Sequence, residues 1–298
     1  MTGAASLGPP TEALALVPGL EHGEQPTTVR CLAGGSVNHT WRVDSAQGRF
    51  VVRADGAQWR RPGVDRAREL ALHTAAAAAG LAPRIVCAAT RMGVLVSEFV
   101  EGRIWTPLDL TRTASLDSLG ECLAQLHALT TNATDEAWSF EPGKIFAEYI
   151  ENATRAPGVV TRGPPPSEVI ARVQTGVEAA HARVIEGGAG PAIVHGDLVC
   201  SNLLAGSRLW LLDWEYAQRT APLYDFACLL AYYDLGGREQ ARLLAAAGVA
   251  DRYAPRTLSA ATYVYRALTW AWHLARGEAA EAPTWPEKAG VGPGRWAN

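Results

Sequence analysis

Charge is scarce in this chain. Charged residues make up 19% of 298, and the 27 Lys and Arg against 30 Asp and Glu leave a net charge of only −3. A nucleic-acid binder carries a basic footprint, and none is present. No stretch of about 18 apolar residues occurs, so no membrane-spanning helix is expected. The N-terminal region lacks a basic segment leading into a long apolar run, so no secretory signal is expected either. The five cysteines, Cys31, Cys87, Cys122, Cys200 and Cys228, are scattered, odd in number and without a CxxC pair. That excludes a disulfide framework and a structural zinc site, and fits reduced thiols in a cytoplasmic protein. The sequons at Asn38, Asn132 and Asn152 are then coincidental. No internal repeat is found.

Apolar residues are plentiful, at 48%, enough to build a sizeable core over two lobes. Strand patterns come first. Val29 to Leu32, Thr40 to Val43 and Arg49 to Val52 with Arg53 read as three short strands with tight turns, an antiparallel meander. Asp65 can cap a helix over about 66–79, which Gly80 stops. Ile85 to Cys87 and Gly93 to Ser97 are further strands, and Glu98 to Gly102 breaks the pattern. Helical periodicity then takes over. Leu116, Leu119, Leu123, Leu126 and Leu129 recur at three- and four-residue steps. A Pro/Gly-rich loop is expected over 152–167, with helices over about 168–186, 222–234, 238–247 and 255–276. Two short strands around Leu203 and over Leu209 to Leu212 flank a turn at Gly206, and the tail from Glu278 carries no pattern. Strand-rich first and helix-rich second is an α+β organisation: an N-lobe over 1–97, a hinge over 98–102 and a C-lobe over 103–298.

The chemistry concentrates in Val194-His195-Gly196-Asp197-Leu198-Val199-Cys200-Ser201-Asn202, followed by Leu212-Asp213-Trp214-Glu215-Tyr216-Ala217. An Asp, an Asn five residues later and a second Asp eleven beyond that sit inside apolar runs. Phosphoryl transfer asks for this set: a carboxylate to take or orient a hydroxyl proton, and an amide and a carboxylate to hold magnesium. Asp197 is the expected base, Asn202 and Asp213 the expected metal ligands, and His195 a buttress of the catalytic turn.

HGDLVCSN, LLDWEYA and the following Pro222-Leu223-Tyr224-Asp225-Phe226-Ala227 resemble the aminoglycoside phosphotransferase and choline kinase superfamily, nearest to the bacterial choline kinase and thiamine kinase branch. The resemblance runs over about 28–275. It implies a bilobal protein-kinase-like fold with an antiparallel-sheet N-lobe and a mainly helical C-lobe, acting on ATP with Mg²⁺. It also implies site residues. Gly34, Gly35, Ser36 and Asn38 would fold over the phosphates, since glycine permits close backbone approach. Arg53 stands where protein kinases carry a lysine and could grip phosphate bidentately, with Glu69 as its partner. Glu98 and Val100 match the hinge whose backbone holds adenine. Asp225 matches an Asp that braces the catalytic segment.

The acceptor is less closely specified. Between Tyr253 and Ala275 there is no Asp or Glu, while Tyr253, Tyr263, Tyr265, Trp270 and Trp272 are present. Polycationic acceptors call for carboxylates, whereas a single quaternary or thiazolium cation prefers aromatic faces. Trp138, Phe140, Phe146 and Tyr149 could face the same pocket. The expectation is therefore a kinase of a small cationic alcohol, of choline or thiamine type, with Glu215 and Trp270 meeting the acceptor. An aminoglycoside or other antibiotic kinase of the same fold, and a non-catalytic pseudokinase that binds nucleotide or a partner, remain the alternatives. Neither the oligomeric state nor the choice of ATP over GTP is encoded in these patterns.

Overall fold

The computed structural model describes residues 8–32, 38–56, 61–130, 139–155, 165–187 and 190–277. By internal contact the chain forms two compact units, Met1–Thr106 with Cys200–Ala217, and Pro107–Val199 with Gln218–Asn298. Among the described residues no helix is long and apolar enough to cross a membrane.

The first unit is built on a five-stranded antiparallel sheet of order β1-β2-β3-β5-β4. Its strands are β1 (Thr28–Cys31), β2 (His39–Ser45), β3 (Gly48–Ala54), β4 (Ile85–Ala89) and β5 (Val94–Glu98). Alternation decides its register. Trp41 lies opposite Val52, Val43 opposite Phe50, and Val52 opposite Val96, so the apolar residues of three strands stack on one face. The short helix α1 (Thr11–Leu14) and the turn after it close that face with Ala13, Val17 and Leu20. Helix α2 (Arg66–Ala78) starts where expected: the Asp65 carboxylate accepts from Ala67 N and Arg68 N, both at 2.9 Å. Gly80, at φ +75°, closes its end.

Cys200–Ala217 returns to this unit for a structural reason that pattern reading does not supply. The two-residue strand β6 (Arg103–Ile104) pairs with β8 (Leu203–Ala205), which pairs with β9 (Leu209–Leu211). Trp105 N donates to Leu203 O and Leu211 N to Leu81 O, both at 2.8 Å. The buried indole of Trp214 stacks on His73 of α2, with ring centroids 5.8 Å apart.

The second unit is helical: α3 (Thr113–His127), α4 (Pro142–Arg155), α5 (Ser167–Glu186), α6 (Leu223–Tyr232), α7 (Gly237–Ala246) and α8 (Pro255–Ala275). The helix α4 carries into the segment expected to be a loop as far as Arg155; residues 156–164 lie outside the described ones. Helix α8 is central, packed on α4, α5 and α6. Its buried Ala260, Ala261, Ala267 and Ala271 let neighbouring helices approach. One small antiparallel pair, β7 (Ala192–Val194) with β10 (Gln218–Thr220), sets the chain up for the turn that follows.

The α3–α7 contact rests on a missing methyl. A Cβ on Gly120 would lie 2.5 Å from Ala246 Cβ and 2.9 Å from the Ala246 carbonyl carbon, so the helices would have to part. Overpacking of this kind costs about 1–3 kcal/mol, more than the ~1 kcal/mol that Ala gains over Gly in helix propensity. Gly120→Ala is therefore expected to lower the unfolding free energy, read from the urea midpoint at unchanged slope.

Candidate active site

Strand β7 ends at Val194 and the chain turns through His195-Gly196-Asp197, with Gly196 at φ +77°. Every peptide of this turn is tied. Asp225, in the first turn of α6 and fully buried, accepts His195 N at 3.1 Å through Oδ2 and Gly196 N at 3.0 Å through Oδ1. His127 of α3 reaches the same Oδ2 from Nε2 at 2.9 Å. An ionised carboxylate only accepts, so Nε2 is the donor. Tyr265 of α8 donates its hydroxyl to Gly196 O at 3.1 Å. Asp197 N donates to His195 Nδ1 at 3.3 Å, and Leu198 N to the Cys228 sulfur at 3.2 Å. His195 is wholly buried and supports the turn. Burial first, then the Asp197 and Asp225 carboxylates, push the Cys228 thiol well up. The partly exposed Asp197 carboxylate is thus presented on a backbone that has little freedom to move.

The aromatic residues of this unit divide in a way the sequence does not show. Trp270 is 5% exposed and lies parallel to Phe146, with centroids 6.2 Å apart, as a core residue. Tyr263 and Tyr265 are buried too, and Trp138 lies outside the described residues. Tyr232, at the end of α6, is 44% exposed. Its hydroxyl is hydrogen-bonded with Thr269, and its enclosure there, followed by the Asp197 charge, holds the phenol well up; Tyr149 lies near it as well. Sequence reading missed Tyr232. The one available signal was the tyrosine pair at the end of a helix that begins with Asp225. A cavity of about 380 Å³ opens among α6, α7 and α8, with Tyr233, Tyr263 and Arg266 in its lining, and holds none of the expected site residues.

The first unit carries the other expected residues. Asn202 closes a 3-10 turn over Cys200–Asn202, and its carbonyl accepts Leu212 N at 2.8 Å. That bond sets Asn202 beside the end of β9, where Asp213 follows. Asp213 is at φ +60°, the one positive value outside glycine among the described residues. Asp tolerates this region better than most residues, and strain of this kind concentrates at functional sites. Arg53 bridges two carboxylates: Nη2 to Glu69 Oε1 at 2.5 Å and Nη1 to Asp213 Oδ1 at 2.9 Å. Arg66 pairs with Asp55, with Glu69 at 2.6 Å and with Glu215 at 3.3 Å. Arg61 pairs with Glu215.

Among the described residues these ion pairs join three arginines to four carboxylates, so one negative charge is unmatched. It falls on Asp213, whose carboxyl is pushed up by burial and then by the Glu215 charge, against the pull of Arg53. Burial also opposes the Arg53 charge, but Glu69, Asp213 and Glu215 overcome it and raise its pKa. Among the described residues Asp213 Oδ2 has no hydrogen-bond partner. An open carboxylate oxygen, in a cluster short of one positive charge among the described residues, fits a hard divalent cation such as magnesium. No three His, Cys, Asp or Glu side chains converge as a cage among the described residues, in keeping with magnesium's habit of using few protein ligands.

In the segment expected to be a hinge, Glu98 N donates to Arg84 O and Phe99 N to Arg49 O, both at 2.9 Å. The Val100 N–H has no partner among the described residues. The Glu98 side chain instead pairs with Arg84 at the surface. Gly34, Gly35 and Ser36 lie outside the described residues. Asn38 is described, and its Nδ2 donates to Glu215 Oε2 at 2.9 Å. Glu215, expected at the acceptor, is 4% exposed within the arginine cluster.

A family model described as a phosphotransferase enzyme family matches residues 28–260. No curated protein matches the sequence. Among solved structures, the chain is similar to a choline/ethanolamine kinase family protein from Mesorhizobium loti, at 22% identity over 96% of this chain and 89% of that one, TM-score 0.67. It is similar to the choline kinase LicA of Streptococcus pneumoniae, solved in complex with AMP, at 19% identity over 88% and 87%, TM-score 0.65. It is also similar to the macrolide 2'-phosphotransferase MphH from Brachybacterium faecium, at 21% identity over 92% and 96%, TM-score 0.57. At such identities the likeness shows the fold, the protein-kinase-like α+β arrangement.

The Asp225 brace yields an expected outcome independent of any substrate. Asp225→Ala leaves two buried peptide N–H groups and an imidazole without their acceptor, at about 1–3 kcal/mol for each buried donor. Urea unfolding is expected to show a loss of several kcal/mol, and a loss within 0.5 kcal/mol, the range of ordinary surface changes, would refute the role given to Asp225.

Proposed function

The chain belongs to the phosphotransferase enzyme family, matched over residues 28–260, and from that premise we propose that it moves the γ-phosphate of Mg-ATP to the hydroxyl of a small cationic alcohol. In this reading the lobes are 1–97 and 103–298, with 98–102 as the hinge. Asp197 accepts or orients the acceptor hydroxyl proton, and the tied turn beneath it keeps the carboxylate in place without reorganisation. Asp213, through its open Oδ2, and Asn202 would hold magnesium, which when bound neutralises charge on the transferring phosphates. Arg53, anchored by Glu69, lies next to Asp213 and can supply a second positive charge to phosphate. The Val100 N–H is the hinge donor left for a purine acceptor nitrogen. The AMP held by the LicA structure supports an adenine nucleotide as the donor.

The observation that carries the reading is the Asp197 turn, fixed at each peptide by Asp225, Tyr265, His195 and Cys228, with Asp197 itself half-buried. For the acceptor class, the support is the exposed Tyr232 ring near Asp197 together with an α8 free of acidic residues. A single cation gains from a ring face what a polycation would seek from carboxylates. Tyr232 thereby takes the role first assigned to Trp270.

The test is ADP release with Mg-ATP against choline, ethanolamine, thiamine, a macrolide and kanamycin. We expect turnover on a cationic alcohol. Asp197→Ala should remove it by about 10²–10⁴-fold while keeping nucleotide binding and the melting temperature. Tyr232→Ala should raise the acceptor KM and leave the ATP KM unchanged. Turnover only on macrolide or kanamycin would move the chain to the antibiotic kinases, and nucleotide binding with no turnover on any acceptor would revive a binding-only role.

A further inference from the structure

Glu215 lies two residues beyond Asp213, yet its carboxylate is used differently. Its Oε1 accepts Arg61 Nη1 at 2.7 Å. Its Oε2 accepts Arg61 Nη2 at 2.5 Å, Asn38 Nδ2 at 2.9 Å and Arg66 Nη1 at 3.3 Å. Three donors converge on Oε2 and one on Oε1, so the carboxylate is held at both oxygens. Arg61 Nη2 also reaches Asn38 Oδ1 at 3.3 Å, so Asn38, Arg61 and Glu215 close a triangle of hydrogen bonds. Both side chains of the central pair are sealed, Arg61 at 8% and Glu215 at 5% exposure. Asp213 has the opposite character, with a 32% exposed side chain and one oxygen open. Trp214 separates the two, pinned by its indole N–H to Leu211 O at 3.0 Å.

Resting on the reading of Asp213 as a metal ligand, we infer that Glu215 is neither a metal ligand nor an acceptor contact in this chain, and that Arg61 is a positioning residue for nucleotide. The Arg61 fork locks Asn38, which follows the glycine segment in sequence, to Glu215, while the flanks of Asp213 are held separately by Trp214 and Leu212. A planar bidentate fork fixes direction as well as distance, which a single ammonium does not. The arginine orders the partners of the nucleotide without touching it.

The experiment uses direct binding, so it needs no acceptor. Binding of the non-hydrolysable analogue AMP-PNP is measured by calorimetry and of Mn²⁺ alone by EPR, on full-length wild type, Arg61→Gln, Arg61→Lys, Glu215→Gln and the Arg61→Gln/Glu215→Gln double variant, with melting temperatures alongside. Each single variant is expected to weaken AMP-PNP by roughly tenfold, with the double no weaker than the worse single, as coupled partners behave. Arg61→Lys keeps the charge but not the fork and is expected to follow Arg61→Gln. Mn²⁺ affinity is expected to stay within about threefold throughout, less than the 10–100-fold that loss of a ligand-orienting partner typically costs. A drop of tenfold or more in Mn²⁺ affinity in Glu215→Gln, with Arg61→Gln spared, would make Glu215 a ligand and overturn the inference. Full AMP-PNP affinity in Arg61→Lys, or additive losses in the double variant, would overturn it too. A wild type that binds no nucleotide would instead refute the kinase reading itself, whereas a wild type that binds it with all variants unchanged refutes the clamp alone.

Discussion

The constraint on which the first unit depends is the imbalance among its buried charges. Burying an ionised carboxylate is costly unless it is paired and hydrogen-bonded. Among the described residues, Asp55, Glu69, Asp213 and Glu215 share Arg53, Arg61 and Arg66 as ion-pair partners. Arginine suits this work, because one planar guanidinium can serve two carboxylates at once, as Arg53 does for Glu69 and Asp213 and Arg66 does for Asp55 and Glu69. The sharing is unequal. Among the described residues Glu215 takes four donors, Glu69 is held by two arginines, and Asp213 keeps one oxygen without a partner. The shortage thereby settles on the carboxylate that is also the most exposed of those measured beside it.

The second unit handles its buried carboxylate in another way. Asp225 is satisfied by peptide N–H groups and one imidazole, and no guanidinium is involved. These donors stabilise the carboxylate and, in return, it dictates where the His195 and Gly196 peptides lie. The positive φ of Gly196 lets the chain reverse direction so that both N–H groups converge on one side chain. Asp197 follows directly on this braced turn.

Much of the frame is legible in sequence because it is set by local rules. The helix N-cap at Asp65, the alternation in β2 and β3, and the leucine steps of α3 each decide their element within a few residues, and the structure has them within one or two residues of the expected bounds. The three-residue strands β7 and β10 were not legible, since each is defined by its partner and not by its own pattern. The site divides similarly. Asp197, Asn202 and Asp213 fall within 17 residues of one another along the chain, so spacing alone singles them out as candidates. The role of Glu215 depends on Asn38, Arg61 and Arg66, which lie 177, 154 and 149 residues away. No local pattern distinguishes its neighbour's open carboxylate from its own closed one. Trp270 and Tyr232 show the same limit for aromatics: helical spacing places both on helices and cannot say which ring faces solvent.

The strained backbone of Asp213 completes the physical picture. At φ +60° a non-glycine residue carries a cost that the fold tolerates only where the surroundings over-determine it. Here Trp214 is buried and bonded to Leu211 O, Ala217 N bonds Trp214 O, and Leu212 N bonds Asn202 O, so both flanks of Asp213 are fixed. A relaxed extended residue at 213 would break the sequence of anchors or turn the carboxylate elsewhere. The strain is therefore the price of holding an under-neutralised carboxylate in a set direction. Arg53 provides one positive partner on one side of it, and a cation on the open oxygen would supply the charge that burial and the neighbouring Glu215 make the group lack. Strain, charge deficit and an open oxygen are three separate observations on one side chain, and a divalent metal ion is the ligand that answers the last two at once.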